Sequence, residues 1–246
     1  MKILDWNVYY KNKSLDNLLR LIDDTSPDIV CLQEVPGSWL EYFVGEDHWN
    51  EAYCVDFGIK KESGFELYYN LTLANETILE YRVSKLSKLK TNSLVSKLSG
   101  WYDSREYIKA HLQNGMCVYN IHLESATNPQ QRIREFCNVL ETGSNQEHAL
   151  YCGDFNIFGR WYVNIFIGGL YGFKREDYTI HERAYFEKLF CEHNLMNHFY
   201  NQITYPSLRL QFDHIVTSQE EIISSKRVIQ QKYGSDHYPI MLDVHT

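Results

Sequence analysis

Five short polar segments carry residues that could do chemistry: Trp6-Asn7, Gln33-Glu34, His122-Leu123-Glu124-Ser125, Gly153-Asp154-Phe155-Asn156 and Ser235-Asp236-His237. Glu34 follows the apolar run Ile29-Val30-Cys31-Leu32, and a carboxylate held against a core is costly unless it is paired or bound to a metal ion. Asp154 and Asn156 stand two apart behind Gly153. On an extended chain they point to one side, offering a base and a neutral hydrogen-bonding group where the glycine lets a ligand approach the backbone. Asp236-His237 is an acid–imidazole pair, and Asp213, within Phe212-Asp213-His214-Ile215, could supply the carboxylate that orients the His237 ring. Each segment also has an ordinary reading: Asn7 as a turn residue, Glu34 as a helix start or solvated strand end, His122 as a satisfied core histidine. Their recurrence at strand ends argues for one shared pocket, because strand ends are where a scaffold gathers side chains from distant sequence.

The elements that must position these residues follow from periodicity. Residues 3–8 read as a strand; Leu15, Leu18, Leu19 and Ile22 recur at helical spacing behind Ser14 as a cap, and Pro27 stops that helix. A buried strand over residues 28–32 precedes a helix over 38–44. Clusters of β-branched and aromatic residues predict strands at 66–73, 77–83, 105–112 and 116–122. The lysine- and serine-rich stretch 84–99 reads as an exposed loop, and the glycine–aromatic stretch 159–173 as a mobile loop near the site. Helices over 129–140 and 182–191 stand on either side of a buried strand at 149–152, and three last strands fall near 211–216, 226–231 and 239–244. Strands dominate, with helices spaced among them. That pattern predicts an α/β (α+β) fold in four αββα layers, two mixed β-sheets packed face to face and flanked by helices, with residues 1–246 as a single domain.

Composition narrows the partners. A formal net charge of −8 argues against a broad basic face that binds nucleic acid by displacing counterions, while leaving room for a small cationic cleft or a metal ion. The six cysteines are scattered, mostly in apolar runs and without a Cys-x-x-Cys pair, and read as buried free thiols of a reducing compartment. Met1 leads directly into Lys2-Ile3-Leu4-Asp5-Trp6 with no signal-like apolar stretch, and no run approaches the roughly 18 apolar residues of a membrane span. The expected location is the cytoplasm, without membrane association.

Taken in order from Trp6 to His237, the aromatic-Asn, Gln-Glu, His-Leu, Gly-Asp-x-Asn and Ser-Asp-His segments resemble the signatures of the endonuclease/exonuclease/phosphatase family. Within it, His122-Leu123-Glu124-Ser125 followed by Arg132, and Thr204-Tyr205 followed by Phe212-Asp213-His214-Ile215, are similar to the tyrosyl-DNA phosphodiesterase 2 branch. Asp5 stands where that branch has threonine, Phe155 replaces threonine, Tyr205 replaces tryptophan, and Phe158 falls where an arginine faces substrate.

The resemblance implies hydrolysis of a phosphodiester with Mg2+, for which Mn2+ could substitute. It makes Glu34 the primary metal ligand, with Asn7 beside it and Asp236 adjacent. It has Asp154 orient or deprotonate the attacking water, Asn156 hold a phosphate oxygen, and a protonated His237, paired with Asp213, stabilise the pentacovalent state. His122 would contact the phosphate or assist the leaving group, and Ser125 would touch substrate. Arg105, Arg132 and Tyr205 are the further candidates to touch substrate, with a surface ion pair as the ordinary reading of either arginine and core packing as that of Tyr205. The substrate implied is nucleic acid, a DNA 5′ end joined to tyrosine or a related single-stranded end, with no obligate protein partner evident. Competing readings are a general or abasic-site endonuclease, a phosphatase or phosphodiesterase acting on phosphoinositides or phospholipids, and an inactive binding module of the same fold. The last predicts damage at Glu34, Asp154 or His237, and none is seen.

Overall fold

Alternation with a period of two builds both sheets. In strand β1 (Lys2–Asn7), Ile3 packs into one apolar cluster while Leu4 and Trp6 pack into another, so the strand divides its side chains between two layers. The computed structural model describes residues 1–45, 48–62, 64–86, 93–98, 101–143, 148–218 and 221–245. After β1 come helix α1 (Leu15–Thr25), β2 (Ile29–Pro36), α2 (Gly37–Phe43), β3 (Asn50–Lys61), β4 (Gly64–Ala74) and β5 (Ile78–Lys85). Then follow α3 (Leu94–Leu98), β6 (Trp101–Asp103), β7 (Glu106–Leu112), β8 (Cys117–His122), α4 (Pro129–Gly143), β9 (Ala149–Asp154) and α5 (Trp161–Ile167). A 3-10 turn (Arg175–Thr179), α6 (Glu182–Glu192), β10 (Leu195–Asn197), β11 (Asp213–Ser218), β12 (Ile223–Val228) and β13 (Ile240–Val244) complete the order.

One sheet has seven strands in the order β12-β13-β1-β2-β4-β3-β6, and the other has six, β10-β11-β9-β8-β7-β5. Both are mixed, through the parallel pairs β1–β2 and β8–β9. Between the sheets lie Ile3, Ile29, Cys31, Val118, Leu150, Cys152, Ile215 and Leu242. Helices α1 and α2 cover the outside of the seven-stranded sheet through Leu18, Leu21, Trp39 and Phe43. Helices α4 and α6 cover the six-stranded sheet through Phe136, Val139, Phe186 and Phe190. This is the expected four-layer αββα sandwich. Among the described residues no helix is long and apolar enough to cross a membrane.

Several expectations need correction. Ser14 does cap α1 in position, but its side chain makes no capping hydrogen bond. Strand β3 and the short β6 and β10 were not anticipated, β11 and β12 are shifted by two or three residues, and β13 falls where expected. The stretch 84–99 is not all loop: Ser84 and Lys85 end β5, and α3 forms at Leu94–Leu98, while 87–92 and 99 lie outside the described residues. Strand β5 is a sheet edge with an almost wholly exposed pattern, and a charged edge strand has the composition of a loop. Residues 161–167 of the other supposed loop form α5, and Gly168 follows it so closely that a Cβ would lie 2.7 Å from the Tyr178 ring. Four of the six cysteines are buried, Cys137 is half-buried and Cys191 is exposed; all are free.

Candidate active site

Inside the sandwich, several strands end their inward-facing row in the same way. Ile3 is followed at period two by Asp5 and Asn7, Ile29 and Cys31 by Gln33, Val118 by Asn120 and His122, and Leu150 and Cys152 by Asp154. Apolar residues thus fill the interior up to one pole, where polar residues take over. Just below that pole, Gln33 Nε2 donates to Asp5 Oδ1 (3.0 Å) and to Asn120 Oδ1 (2.9 Å), and Asn120 Nδ2 donates to Leu71 O (2.9 Å), joining the two sheets. Burial, and then the nearby Asp213, push the Asp5 carboxyl well above its ordinary range.

Asn7 Nδ2 donates to Glu34 Oε1 (3.2 Å) and to Asp154 Oδ2 (3.0 Å). The second oxygen of Glu34 accepts the Tyr10 N–H (2.9 Å), and Asp154 Oδ1 accepts the Asn156 N–H (2.8 Å). Two imidazoles approach the same Asp154 oxygen, His122 Nε2 at 3.8 Å and His237 Nε2 at 3.7 Å. Behind each ring is a carboxylate: His122 Nδ1 donates to Asp56 Oδ2 (2.6 Å) and His237 Nδ1 to both oxygens of Asp213 (3.0 and 2.8 Å). Burial disfavours the charged form of His237, but Asp213 and Asp154 outweigh it and raise the ring to about 10. For His122 burial also opposes charge, Asp56 favours it and Arg105 opposes it; the net shift is upward. Burial raises Asp154 against the pull of His237, and raises Glu34 against that of His122.

Local backbone aims these groups. Glu34 lies at the bulge where β2 shifts register against β4 and has φ +59°, and Asn156 has φ +51°. Gly153 has φ +135°, and a Cβ there would run into Ile121 O of the parallel neighbour β8. Only glycine lets the two strands lie that close immediately before Asp154. Thr204 Oγ1 accepts the N–H groups of Phe212 (2.9 Å) and Asp213 (3.0 Å), which fixes the start of β11. Ser235 Oγ donates to Asn7 O (2.7 Å) and accepts the His237 N–H (2.9 Å), tying the last motif to the first.

The expected site residues therefore divide. Asn7, Glu34, His122, Asp154, Asn156, Asp213, His237 and the half-exposed Asp236 meet at one pole, with Asp236 Oδ1 4.0 Å from His237 Nε2. Tyr205 is close, its ring centroid 4.9 Å from that of His237 and stacked on Phe212. Asn156 Nδ2 donates to Leu123 O (3.0 Å), so part of its amide is used within the protein. Ser125 is half-buried in the turn after β8, where its carbonyl faces Arg132.

Two arginines are not where a substrate could reach them. Arg105, 1% exposed, donates to Asp56 (3.0 Å) and Glu124 (3.3 Å). Arg132, 0% exposed, grips Glu182 through two bonds (2.6 and 3.2 Å), donates to Thr127 O (2.7 Å) and lies over the Phe158 ring. Buried guanidiniums are held by such pairing, so both are framework residues. Asp56 was missed altogether: it is fully buried in β3, at a register shift between Val55 and Phe57.

The pole suits a hard divalent cation. Glu34 Oε1 and Asp154 Oδ2 share one amide, lie 4.0 and 3.8 Å from His122 Nε2, and belong to one half-buried and one buried carboxylate, both with raised pKa values, a charge deficit that a cation would relieve. Asp154, Asp213 and His237 also form a cluster of ligand-capable atoms within 4.8 Å of one another. Both Asp213 oxygens already accept from His237, so that trio is a hydrogen-bonded pair beside a carboxylate; Glu34 and the half-exposed Asp236 are the other carboxylates at the pole, and the Asn7 side-chain oxygen there accepts the Tyr9 N–H (3.0 Å). A cavity of about 670 Å3 lies at the opposite pole among Met1, Asp28, Glu76, His148 and His245, away from these groups.

No curated protein matches the chain in sequence at a significant level. Among solved structures, the human Nocturnin catalytic domain with bound sulfate superposes with a TM-score of 0.69 at 16% identity, over 100% of this chain and 93% of that one. The 3′ phosphatase NExo from Neisseria, bound to a product DNA hairpin, gives 0.65 at 19% identity over 100% of both chains. D. rerio TDP2 complexed with a single-strand DNA product gives 0.63 at 15% identity, over 100% of this chain and 99% of that one. Residues 6–237 match the profile of the Endonuclease/Exonuclease/phosphatase family, whose members are phosphoester hydrolases that typically depend on a divalent metal. The αββα sandwich, the polar pole and the matched span together place this chain in the endonuclease/exonuclease/phosphatase family.

Proposed function

We propose that the chain is a divalent-cation-dependent phosphodiesterase acting at the end of a DNA strand, with a 5′-tyrosyl or other single-stranded end as substrate and Mg2+, replaceable by Mn2+, as its ion. Residues 1–246 act as one catalytic domain. The observation that carries the reading is the placement of two carboxylate-backed imidazoles at 3.8 and 3.7 Å from one oxygen of Asp154. Water attacking a phosphodiester builds negative charge on the non-bridging and leaving oxygens, and inward-facing donors meet that charge in place.

Asp154, held by Asn7 and by the Asn156 N–H, orients the attacking water and takes its proton. His237, protonated against Asp213, donates to a non-bridging oxygen, while His122, fixed by Asp56, faces the leaving oxygen. Glu34, Asn7 and Asp236 would hold the cation, which would supply positive charge to the phosphate oxygens. Tyr205 offers its ring to a base or to a tyrosine leaving group. Structures of the same fold bound to DNA products support DNA as the substrate class.

The test is a panel with Mg2+, Mn2+ or EDTA: 5′-tyrosyl single-stranded DNA, plain single- and double-stranded DNA, abasic duplex, a hairpin with a 3′ phosphate, RNA and a phosphoinositide. The tyrosyl end should be cleaved fastest, and EDTA should abolish the reaction. Equal cleavage of plain duplex would overturn the substrate, and turnover in EDTA would overturn the cation.

A further inference from the structure

Three guanidinium groups of this acidic chain gather beside the active-site pole without a carboxylate to neutralise them. Arg160, Arg183 and Arg209 line one small cavity together with Gly159, Asn201 and Gln211. Arg160 and Arg209 are exposed and Arg183 is half-buried. Arg183 Nη2 donates to Gln211 O (2.6 Å), and its Nη1 donates to His214 Nε2 (3.1 Å). Both acceptors are neutral, because burial, and then Arg183 itself, hold His214 well below its ordinary range. Arg160 Nη1 donates to the Tyr162 hydroxyl (3.1 Å). Among the described residues no carboxylate oxygen lies within 4.0 Å of any of the three.

The acids that act on Arg183 are already engaged, Glu182 by Arg132 and Glu187 by the Asn197 amide (2.8 Å). Burial accordingly lowers Arg183 to about 10, against an ordinary 12.5. A half-buried cation without a counter-charge is unfavourable, and an anion in the cavity removes that cost. With a net charge of −8 the chain has carboxylates to spare elsewhere, so their exclusion from this cavity is selective.

The cavity belongs to the same end of the sheet as the catalytic groups. Gly159 follows Asn156 by three residues and Gln211 precedes Asp213 by two, while Asp213 pairs with Asp154 across β11 and β9. Three residues span at most about 11 Å. Arg209 lies on the hairpin closed by the Tyr205–Leu210 bridge, whose Tyr205 ring packs against His237.

We propose that Arg160, Arg183 and Arg209 form a second phosphate subsite, which holds a phosphate of the substrate other than the one being hydrolysed. The proposal rests on the phosphodiesterase reading above and narrows it to a substrate with at least two phosphates, spaced as along a nucleic-acid strand. Guanidinium forks match phosphate oxygens in bidentate geometry, and three around one cavity can close on a tetrahedral oxyanion.

The double variant Arg160→Ala/Arg209→Ala leaves Arg183 and its internal hydrogen bonds in place, and its thermal unfolding reports whether it folds. With Mg2+, kcat/KM is measured on a single-stranded pentanucleotide and on bis(p-nitrophenyl) phosphate, which has one phosphate. The ratio of the two values should fall about tenfold in the variant, the order of one or two charge-assisted hydrogen bonds. In an Asp154→Asn background, fluorescence anisotropy of the labelled oligonucleotide should show a salt dependence shallower by roughly 0.7 for each phosphate that the removed arginines no longer neutralise. An unchanged ratio with an unchanged slope overturns the subsite. If the wild type hydrolyses neither substrate, the phosphodiesterase reading fails while the slope still decides the subsite. An inositol polyphosphate that competes with the oligonucleotide in the wild type and not in the double variant supports the subsite with a non-nucleic source of phosphate. Equal competition in both overturns it.

Discussion

His122 and His237 flank one carboxylate from opposite walls, and each reaches its own acid by crossing between the sheets in the opposite sense. His122 ends β8 of the six-stranded sheet and finds Asp56 on the seven-stranded one; His237 precedes β13 of the seven-stranded sheet and finds Asp213 on the six-stranded one. The surroundings then separate them. Arg105 shares Asp56 and has Nη1 3.1 Å from His122 Nδ1, so a cation works against protonation of that ring. His237 has Asp213 behind it and Asp154 in front, and is raised to about 10. Identical residue types thus sit in different fields: His237 stays charged through the neutral range, whereas the upward pull of Asp56 on His122 is opposed by Arg105 as well as by burial.

Removing what the two pairs share should have the largest effect. Asp154→Asn is expected to lower kcat/KM by about a thousandfold or more, with both imidazoles intact, in steady-state assays with saturating Mg2+. Next comes the cation that only one pair possesses. Arg105→Met takes the guanidinium from buried Asp56 and Glu124, leaving Asp56 its bond from His122, and should cost about 3–5 kcal/mol in urea unfolding; among the described residues no arginine pairs with Asp213.

Single-ring deletions should then rank the pairs, His237→Ala losing about a hundred- to a thousandfold in kcat/KM as the loss of a permanently charged donor, and His122→Ala less. Equal losses would dissolve the distinction. The smallest effect is on pH. The alkaline limb of kcat/KM should follow His122, so Asp56→Asn moves it to lower pH. Asp213→Asn instead brings a second limb into range as His237 falls from about 10. Because the folded pKa of His237 is raised, its contribution to stability is full below about 6.5, declines as pH rises, and is gone above about 10. The stability gap between wild type and Asp213→Asn, measured by urea unfolding of the metal-free protein, should narrow over that window.

Much of this pole was legible because its residues end strands in short polar motifs. The layered fold was legible for a related reason: strands with a buried period-two row, such as Ile29-x-Cys31-x-Gln33, announce themselves by composition. Asp56 carries the same signal, since Ala52 and Cys54 precede it at period two and pack between the sheets, but glutamate, tyrosine and the register shift within β3 hid the strand. Arg105 and Arg132 invited the opposite mistake. An arginine is expected at a surface or on a phosphate, and what buries these two, Asp56 and Glu182, lies 49 and 50 residues away. Long-range pairing of that kind has no local trace. The uncompensated arginine cavity was invisible for the same reason, being assembled from three separate segments.

The backbone at Glu34 and Arg105 holds φ at +59° and +39°, a conformation that costs side-chain-bearing residues about 1–2 kcal/mol and that glycine adopts freely. Evolution toward heat resistance alone would therefore drift to glycine at position 34, relaxing the bend while deleting the carboxylate. A laboratory screen scored on survival after heating should enrich robust, inert chains, and only a screen that also scores turnover will keep Glu34.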